Sequence, residues 1–423
     1  MSLQRWVFCN KDGNNEDMSW KRYFLRRSHL EKKMGEGKTG GYTCKSFRGH
    51  TGRVTALAYL NGNSDSDSPD LWSSSSVCSA STDGTVKAWK VQNGELQWST
   101  PASENPITDM VVNPELKLVV TADSTGVIST WDGPSGNLLT SFSTGFLHCK
   151  LLVFSIDGHT HISVGGHLGS VRNSLGTNVP KISTVMVCDS FRVTTLLISP
   201  DKKFLTAGTK ENNDLCAKVM YTESLHAESE DEGPLCQTLP VGGCQAAVFI
   251  PTQPSRLAII HTGPSRNSIL TVFDITLRKS KYKTEIIVNQ VKSFSLTQSS
   301  SSQLLLKAKD SHCIVLAAAH QLFVYSLSGE LLQSFSDHTM PISAMWVDSF
   351  RVVTASRDLS MRVLTWKKHR DGGQTLEGRY HLLGGSHSMS RGFTDVVCDY
   401  SSIVGSVEGT DGADVLKAYC FNF

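Results

Sequence analysis

The sequence predicts an all-β fold assembled from repeated strand-and-turn units, and three observations carry that reading. Glycine (34 residues) and serine are abundant while long Ala/Leu/Glu runs are missing, a balance that favours strands and tight turns. Apolar residues alternate over short stretches bounded by turn residues. From residue 47 onward the pattern recurs at roughly 50 residues, a period that signals solenoids or propellers. With 423 residues, 39% of them hydrophobic, the chain has ample material for a core.

The clearest unit is "FRGHTGRVTALAYL", a loop, then "VCSASTDGTVKAWKV". Val54, Ala56 and Ala58 alternate along one strand, Val77, Ser79 and Ser81 along the next. Thr82-Asp83-Gly84 turns the chain into Val86, Ala88 and Trp89. A second copy, "VTADSTGVISTWD", places Thr121-Ala122 under Ser79-Ala80, Gly126 under Gly84, Trp131 under Trp89 and Thr125 where Asp83 stands. "FLTAGT" (204–209) and "VVTASRD" (352–358) repeat the Thr-Ala strand, and the late copy has His338 and Asp358, with Leu364 six residues after the aspartate and Trp366 eight. First strands near Val54, Ile107, Cys149, Val193, Cys244, Val291, Ile342 and Phe393 count eight units rather than seven. The last unit lacks an outer strand, and "YTCKSFRG" (42–49) precedes the first complete unit, so the simplest topology has this early strand completing the last sheet.

These residues resemble the WD-repeat family. Gly49-His50 matches its Gly-His start, Ser79 its strand serine, Asp83 its turn aspartate and Trp131-Asp132 its Trp-Asp end. The resemblance implies an all-β propeller of seven or eight blades, the count favouring eight, preceded by a short helical segment. It also implies a buried structural network from His50, Ser79, Asp83 and Trp89, with Trp131, Asp132, His338 and Asp358 in equivalent places.

Residues 20–34 read as a basic aromatic helix. Trp20, Tyr23, Phe24, Leu30 and Met34 approximate one face, with Arg27 interrupting it, Asp17 as an N-cap and Gly35 as the stop. A helix laying its apolar face on the strand domain is favoured over nucleic-acid binding, because the net charge is only +2. "QRW…DMSWKRYFLRRSHLEKKMGEGK" further resembles the end of an F-box and its linker in F-box/WD-repeat proteins, the match resting on Trp6, Trp20, Lys21 and Tyr23. The organisation this implies is an F-box remnant at 1–19, a basic linker at 20–41 and the propeller at 42–423. The Leu-Pro helix that opens a full box is not in this sequence, so adaptor docking is not expected of this chain alone.

In that family the box docks on the adaptor of an SCF-type ubiquitin ligase, and the propeller rim captures a protein substrate, often phosphorylated and read by arginines. Arg357 stands where some relatives place such an arginine; Arg53 is a second candidate. The implied role is a non-catalytic substrate-recognition subunit with SCF adaptor and cullin as partners. The alternative is a WD-repeat scaffold of another complex with no ligase role.

Catalytic and cofactor motifs are weak. "GEGKTG" (35–40) matches G-x-G-x-x-G, but a phosphate cradle needs a strand before and a helix after it, and here the order is reversed. His159, His161 and His167 have alternating spacing beside Asp157, yet turn and strand roles are favoured over a metal site. No cofactor, metal, nucleic-acid or membrane partner is therefore expected. Eleven cysteines include no C-x-x-C pair, and several sit in apolar strands. They read as buried reduced thiols in a cytoplasmic or nuclear protein.

Overall fold

The alternating apolar pattern of the first unit resolves into four antiparallel strands, Val54–Tyr59, Ser76–Ser81, Val86–Lys90 and Leu96–Ser99, hydrogen-bonded in that order. They are called a to d from the centre outward. The computed structural model describes residues 25, 28–37, 41–60, 75–175, 181–226, 233–280, 283–297, 303–369 and 374–421. Among these, eight such four-stranded sheets form, and their inner strands touch in cyclic order, the eighth packing against the first. The protein is an eight-bladed β-propeller with a short helix, residues 28–36, ahead of it. The d-to-a loops and b-to-c turns make the upper face; the a-to-b and c-to-d connections make the lower face.

Burial follows from this geometry. Every b strand is sandwiched between neighbouring blades, so it reads as a continuous run of small and branched residues, "SVCSAS" in blade 1 and "CIVLAA" in blade 6, buried throughout. The d strands lie at the rim and alternate, as "LLTSFS" does in blade 2. Every cysteine among the described residues is free; most are buried as expected, but Cys44 and Cys236, on outer strands, are exposed, and burial pushes the Cys188 and Cys420 thiols up to about 12.

The blade count matches the sequence reading, but one boundary moves. Val291 does not open the sixth blade. It lies in Thr284–Ser295, the outer strand of blade 5, and blade 6 begins at Leu304–Ala308. Blade 5 ends in a hairpin of two twelve-residue strands, and its overlong outer strand carries an apolar alternation that imitates an inner one.

Ring closure uses both ends of the chain. Tyr42–Phe47 is the d strand of blade 8 and pairs antiparallel with Val415–Phe421, from Tyr42↔Phe421 to Phe47↔Leu416. Phe47 also stacks on Trp89 of blade 1, with ring centroids 5.8 Å apart. Asp414 of blade 8 accepts the Val54 N–H of blade 1 at 2.8 Å, and Tyr59 meets Ser402 across the same junction at 2.8 Å. Sheet edge, stacked rings and hydrogen bonds together seal the seam.

A buried polar chain organises blade 1. His50 Nδ1–H donates to Asp83 Oδ2 at 3.0 Å, Ser79 Oγ–H donates to His50 Nε2 at 2.7 Å, and Trp89 Nε1–H donates to Ser79 Oγ at 2.9 Å. An ionised carboxylate can only accept, which places the imidazole proton on Nδ1. Burial raises the Asp83 carboxyl, but hydrogen bonds from Thr85, the Thr51 N–H and His50 outweigh it and bring the pKa to about 2. Burial also lowers His50 below its usual 6.5, Asp83 only partly opposing it, so the histidine is neutral near pH 7.

Blade 7 repeats the arrangement, with His338 Nδ1 to Asp358 Oδ2 at 2.9 Å and Nε2 to Thr354 Oγ1 at 2.8 Å. Leu364 occupies the position of Trp89, while the indole of Trp366 donates instead to the Asp348 carbonyl at 3.2 Å. In blade 2, Trp131 donates to Thr121 at 3.0 Å, and Asp123 rather than Thr125 supplies the turn acceptor. Asp132 stands outside the network. Its carboxylate accepts the Ser135 N–H at 3.0 Å and shapes the lower-face turn, since the strand ends where the aspartate begins it.

Asp83→Ala strands His50 and the Thr51 and Thr85 N–H groups, and should lower the unfolding free energy by roughly 2–4 kcal/mol in urea titrations. The pH dependence has a definite sign. Neutral His50 and His338 give their full contribution above the unfolded value of 6.5 and lose it as pH falls below that. The Asp83 contribution is full above 3.8 and disappears as pH falls toward about 2. Stability measured from pH 8 down to pH 2 should therefore show these two losses in succession.

Candidate functional site

The upper face at the seam carries a carboxylate enclosed by arginines. Glu408 lies near the end of Ser402–Gly409, the b strand of blade 8, and is buried. Arg53 precedes strand a of blade 1, Arg357 sits in the b-to-c turn of blade 7, and Arg391 is near the start of strand a of blade 8. Glu408 Oε1 is 3.1 Å from Arg53 Nη2 and 3.7 Å from Arg391 Nη1, and Glu408 Oε2 accepts a hydrogen bond from Arg357 Nη1. Three blades thus deliver three cations to one anion.

Backbone detail makes the convergence possible. Gly392 has φ +127°, and a Cβ there would lie 2.4 Å from the Arg357 Cα. Only glycine lets the blade 8 strand approach the blade 7 turn this closely, which sets Arg391 beside Arg357. The Arg357 hydrogen bond, with the fields of Arg53 and Arg391, holds the Glu408 carboxyl below the usual carboxylate range despite burial. Glu408 and the neighbouring buried Asp414, which also feels the field of Arg53, cannot balance three cations, so the cluster keeps a surplus of positive charge. The Arg53, Arg357 and Arg391 side chains are 57%, 39% and 57% exposed, and their free N–H groups suit carboxylates or phosphates.

Of the two arginines singled out in the sequence, both are in this cluster. Arg391 and Glu408 were missed. The available signal was a glutamate inside "SIVGSVEG", an otherwise apolar and small b strand, where a buried charge demands partners.

The lower face of blades 7 and 8 holds the N-terminal helix. Leu30 and Met34 are buried in one core cluster with Val353, Tyr419 and Phe421, and the Tyr400 O–H donates to Glu31. Beneath them Arg351 is only 1% exposed. Its Nη2 donates to the Asp399 carbonyl, its Nη1 is 3.5 Å from the Met34 sulfur, and Nε pairs ionically with Asp348 at 3.3 Å, too poorly aligned for a hydrogen bond. The helix runs through Gly35 and stops at Gly37, which has φ +57° and donates its N–H to the Lys33 carbonyl at 2.9 Å. Gly35 is therefore not the stop, because it keeps helical geometry while Gly37 turns left-handed. Trp6, Trp20, Tyr23 and Asp17 lie outside the described residues.

The remaining motifs separate. "GEGKTG" begins in the last turn of a helix and precedes a strand, the wrong order for a phosphate cradle. His161 stacks on Phe154 with centroids 5.1 Å apart, His167 accepts the Leu147 N–H at 2.9 Å, and His159 is exposed. Among the described residues no three His, Cys, Asp or Glu side chains are grouped to hold a metal ion, and no helix is long and apolar enough to cross a membrane.

Comparison with known proteins fits this geometry. The WD domain, G-beta repeat family matches residues 41–90, the segment holding the closing strand and the His50–Asp83 chain. The chain is a WD-repeat β-propeller. The propeller is related to F-box/WD repeat-containing protein 12 of Homo sapiens, 28% identical over 433 residues that cover all of this chain and 90% of that protein. The crystal structure of the computationally designed Ika8 protein superposes with a TM-score of 0.60 at 18% identity, covering 89% of this chain and 98% of the designed one, and supports the fold alone. The match is that of a protein-interaction module, and the arginine cluster gives this chain a surface suited to that work.

Glu408→Gln removes the charge that holds the arginines together. The expected loss is about 1 kcal/mol at neutral pH, small because the arginines are solvated. The difference from wild type should close as pH falls below 4.5, when the native carboxyl protonates. Paired urea titrations at neutral and acidic pH read this directly.

Proposed function

We propose that this propeller is the substrate-recognition subunit of an SCF-type ubiquitin ligase, with the arginine cluster around Glu408 as the surface that engages its protein substrate. The observation that carries the reading is the cluster itself. Three arginines from three blades are gathered on one buried glutamate, partly exposed and in excess of its charge. Such a surface selects acidic or phosphorylated segments, since bidentate guanidinium contacts favour phosphate and carboxylate. The relation to F-box/WD repeat-containing protein 12 along the whole chain supports placing it in a ligase, as does the helix seated on the lower face, opposite the cluster. The cytoplasm or nucleus is the compartment in which this assembly would work and in which the buried thiols would stay reduced.

Affinity purification from cells of this chain joined to a complete F-box should recover the SCF adaptor and cullin together with a phosphorylated substrate. Arg357→Glu combined with Arg391→Glu should reduce substrate recovery by about tenfold or more while leaving adaptor and cullin unchanged. Recovery of neither adaptor nor cullin would rule out the ligase role and leave a WD-repeat scaffold of another complex.

A further inference from the structure

The upper face bears a second feature, across the channel from Glu408. Leu147 precedes strand a of blade 3, Leu168 lies in that blade's b-to-c turn, Met186 ends its strand d, and Phe191 follows in the loop to blade 4. Hydrogen bonds, one to the His167 ring and the others between backbone groups, join these loops into one surface. The Leu147 N–H donates to His167 at 2.9 Å, the Val187 and Cys188 N–H groups donate to the Gly169 carbonyl at 2.8 Å, and the Val193 N–H donates to the Gly166 carbonyl at 3.0 Å. On this surface Leu147 is 45% exposed, Leu168 52%, Met186 53% and Phe191 36%. Apolar residues scattered singly over a surface need no explanation, but four on adjoining, mutually bonded loops do.

Beside the patch the mouth of the channel opens into a cavity of about 580 Å³, walled by the Thr55, Thr108 and Thr194 hydroxyls and by Lys150, Arg192 and Lys210. Arg192 directly follows Phe191, so patch and cavity share a loop. Lys150 is paired with Asp109 at 2.9 Å and Arg192 with Glu211 at 3.5 Å. Lys210 has no ion-pair partner among the described residues. Thr55 and Thr108 spend their hydroxyl protons on the Ala80 and Ala122 carbonyls, so the cavity offers an anion the uncompensated Lys210 ammonium and the Thr194 hydroxyl, which accepts the Lys210 N–H at 2.9 Å and keeps its own proton to donate. A bilayer is too flat to enter such a concavity, whereas a peptide can send a carboxylate into it and lay a neighbouring side chain on the patch.

We infer that the blade 3 sector of the upper face is a second docking site, which takes an acidic peptide segment carrying one large apolar side chain. Charge selects the segment, and the apolar patch fixes its register. The site is centred on blades 3 and 4; the far wall of its cavity, at Thr55 and Thr82, borders Arg53 of the arginine cluster but not Arg357 or Arg391, and the inference does not rest on the ligase assignment.

A randomised displayed-peptide library selected on the intact chain carrying Arg357→Glu and Arg391→Glu, which silence the arginine cluster, tests it. The enriched peptides are synthesised and titrated by fluorescence anisotropy against wild type, Leu168→Ser, Lys210→Glu and Arg357→Ala; the first two positions are exposed, and circular dichroism checks that each variant is folded. Enriched sequences should place acidic residues beside Leu, Met or Phe. Their affinity should fall by about tenfold or more on Leu168→Ser and on Lys210→Glu, and stay unchanged on Arg357→Ala. Enrichment without the acidic–apolar pairing, affinities indifferent to both blade 3 substitutions, or loss on Arg357→Ala alone would overturn the assignment. So would failure to enrich peptides while vesicles of phosphatidylcholine and phosphatidylserine bind in a Lys210-dependent way. Failure to recover adaptor and cullin from cells bears on the ligase reading alone.

Discussion

Everything in this molecule depends on closing a ring of sheets. A twisted sheet exposes two edges and two faces, and stacking blades around an axis covers the faces. Only circular closure gives the first and last blades a neighbour on both sides. Here the closing blade takes three strands from the C-terminal end and its outer strand, Tyr42–Phe47, from the N-terminal end. The consequence is visible in the residues of the junction. Phe47 reaches Trp89, Asp414 reaches Val54 and Tyr59 reaches Ser402, each pairing the beginning of the domain with its end.

That junction also concentrates the unusual electrostatics. On the upper side a buried carboxylate gathers three arginines; on the lower side a buried arginine is roofed by a helix. The two solve opposite problems. Glu408 is a single anion sharing several solvated cations, so its burial costs little and the surplus charge remains available outside. Arg351 is a cation removed from water, held by the Asp399 carbonyl and the Asp348 carboxylate, with Met34 packed against it. The helix thereby covers a group that would otherwise draw water into the core, which explains why Leu30 and Met34 are as buried as any blade residue.

Much of the architecture was legible in the sequence because blade burial imposes a pattern. The small-residue b strands, the turn glycines and the Gly-His start all follow from two-sided packing, and eight units could be counted from them. What was illegible shares a physical reason: local pattern does not report the surroundings. Val291 alternates as an inner strand would, yet sits on the outer strand of an extended hairpin. "DSFRV" occurs twice with opposite fates. At 189–193 it is an upper-face loop with Arg192 in solvent, and at 348–352 a lower-face turn with Arg351 buried. Identical residues received different environments because they fall on different connections of the blade. The arginine cluster was half legible: Arg53 and Arg357 stood in recognisable turn positions, while the glutamate that unites them lies in another blade.

The His–hydroxyl–Asp chains described in blades 1 and 7 flank blade 8 on either side. In a ring this placement sets a polar chain on each side of the joint between chain ends, where closure entropy would favour separation. Elsewhere other links serve, such as His261 to Thr271 in blade 5 and the Asp109 carboxylate to the Leu151 N–H between blades 2 and 3. The arginine cluster spans the joint itself, with Arg53 on one side and Arg357 and Arg391 on the other. Whatever grips these arginines together therefore also clasps the two ends of the domain.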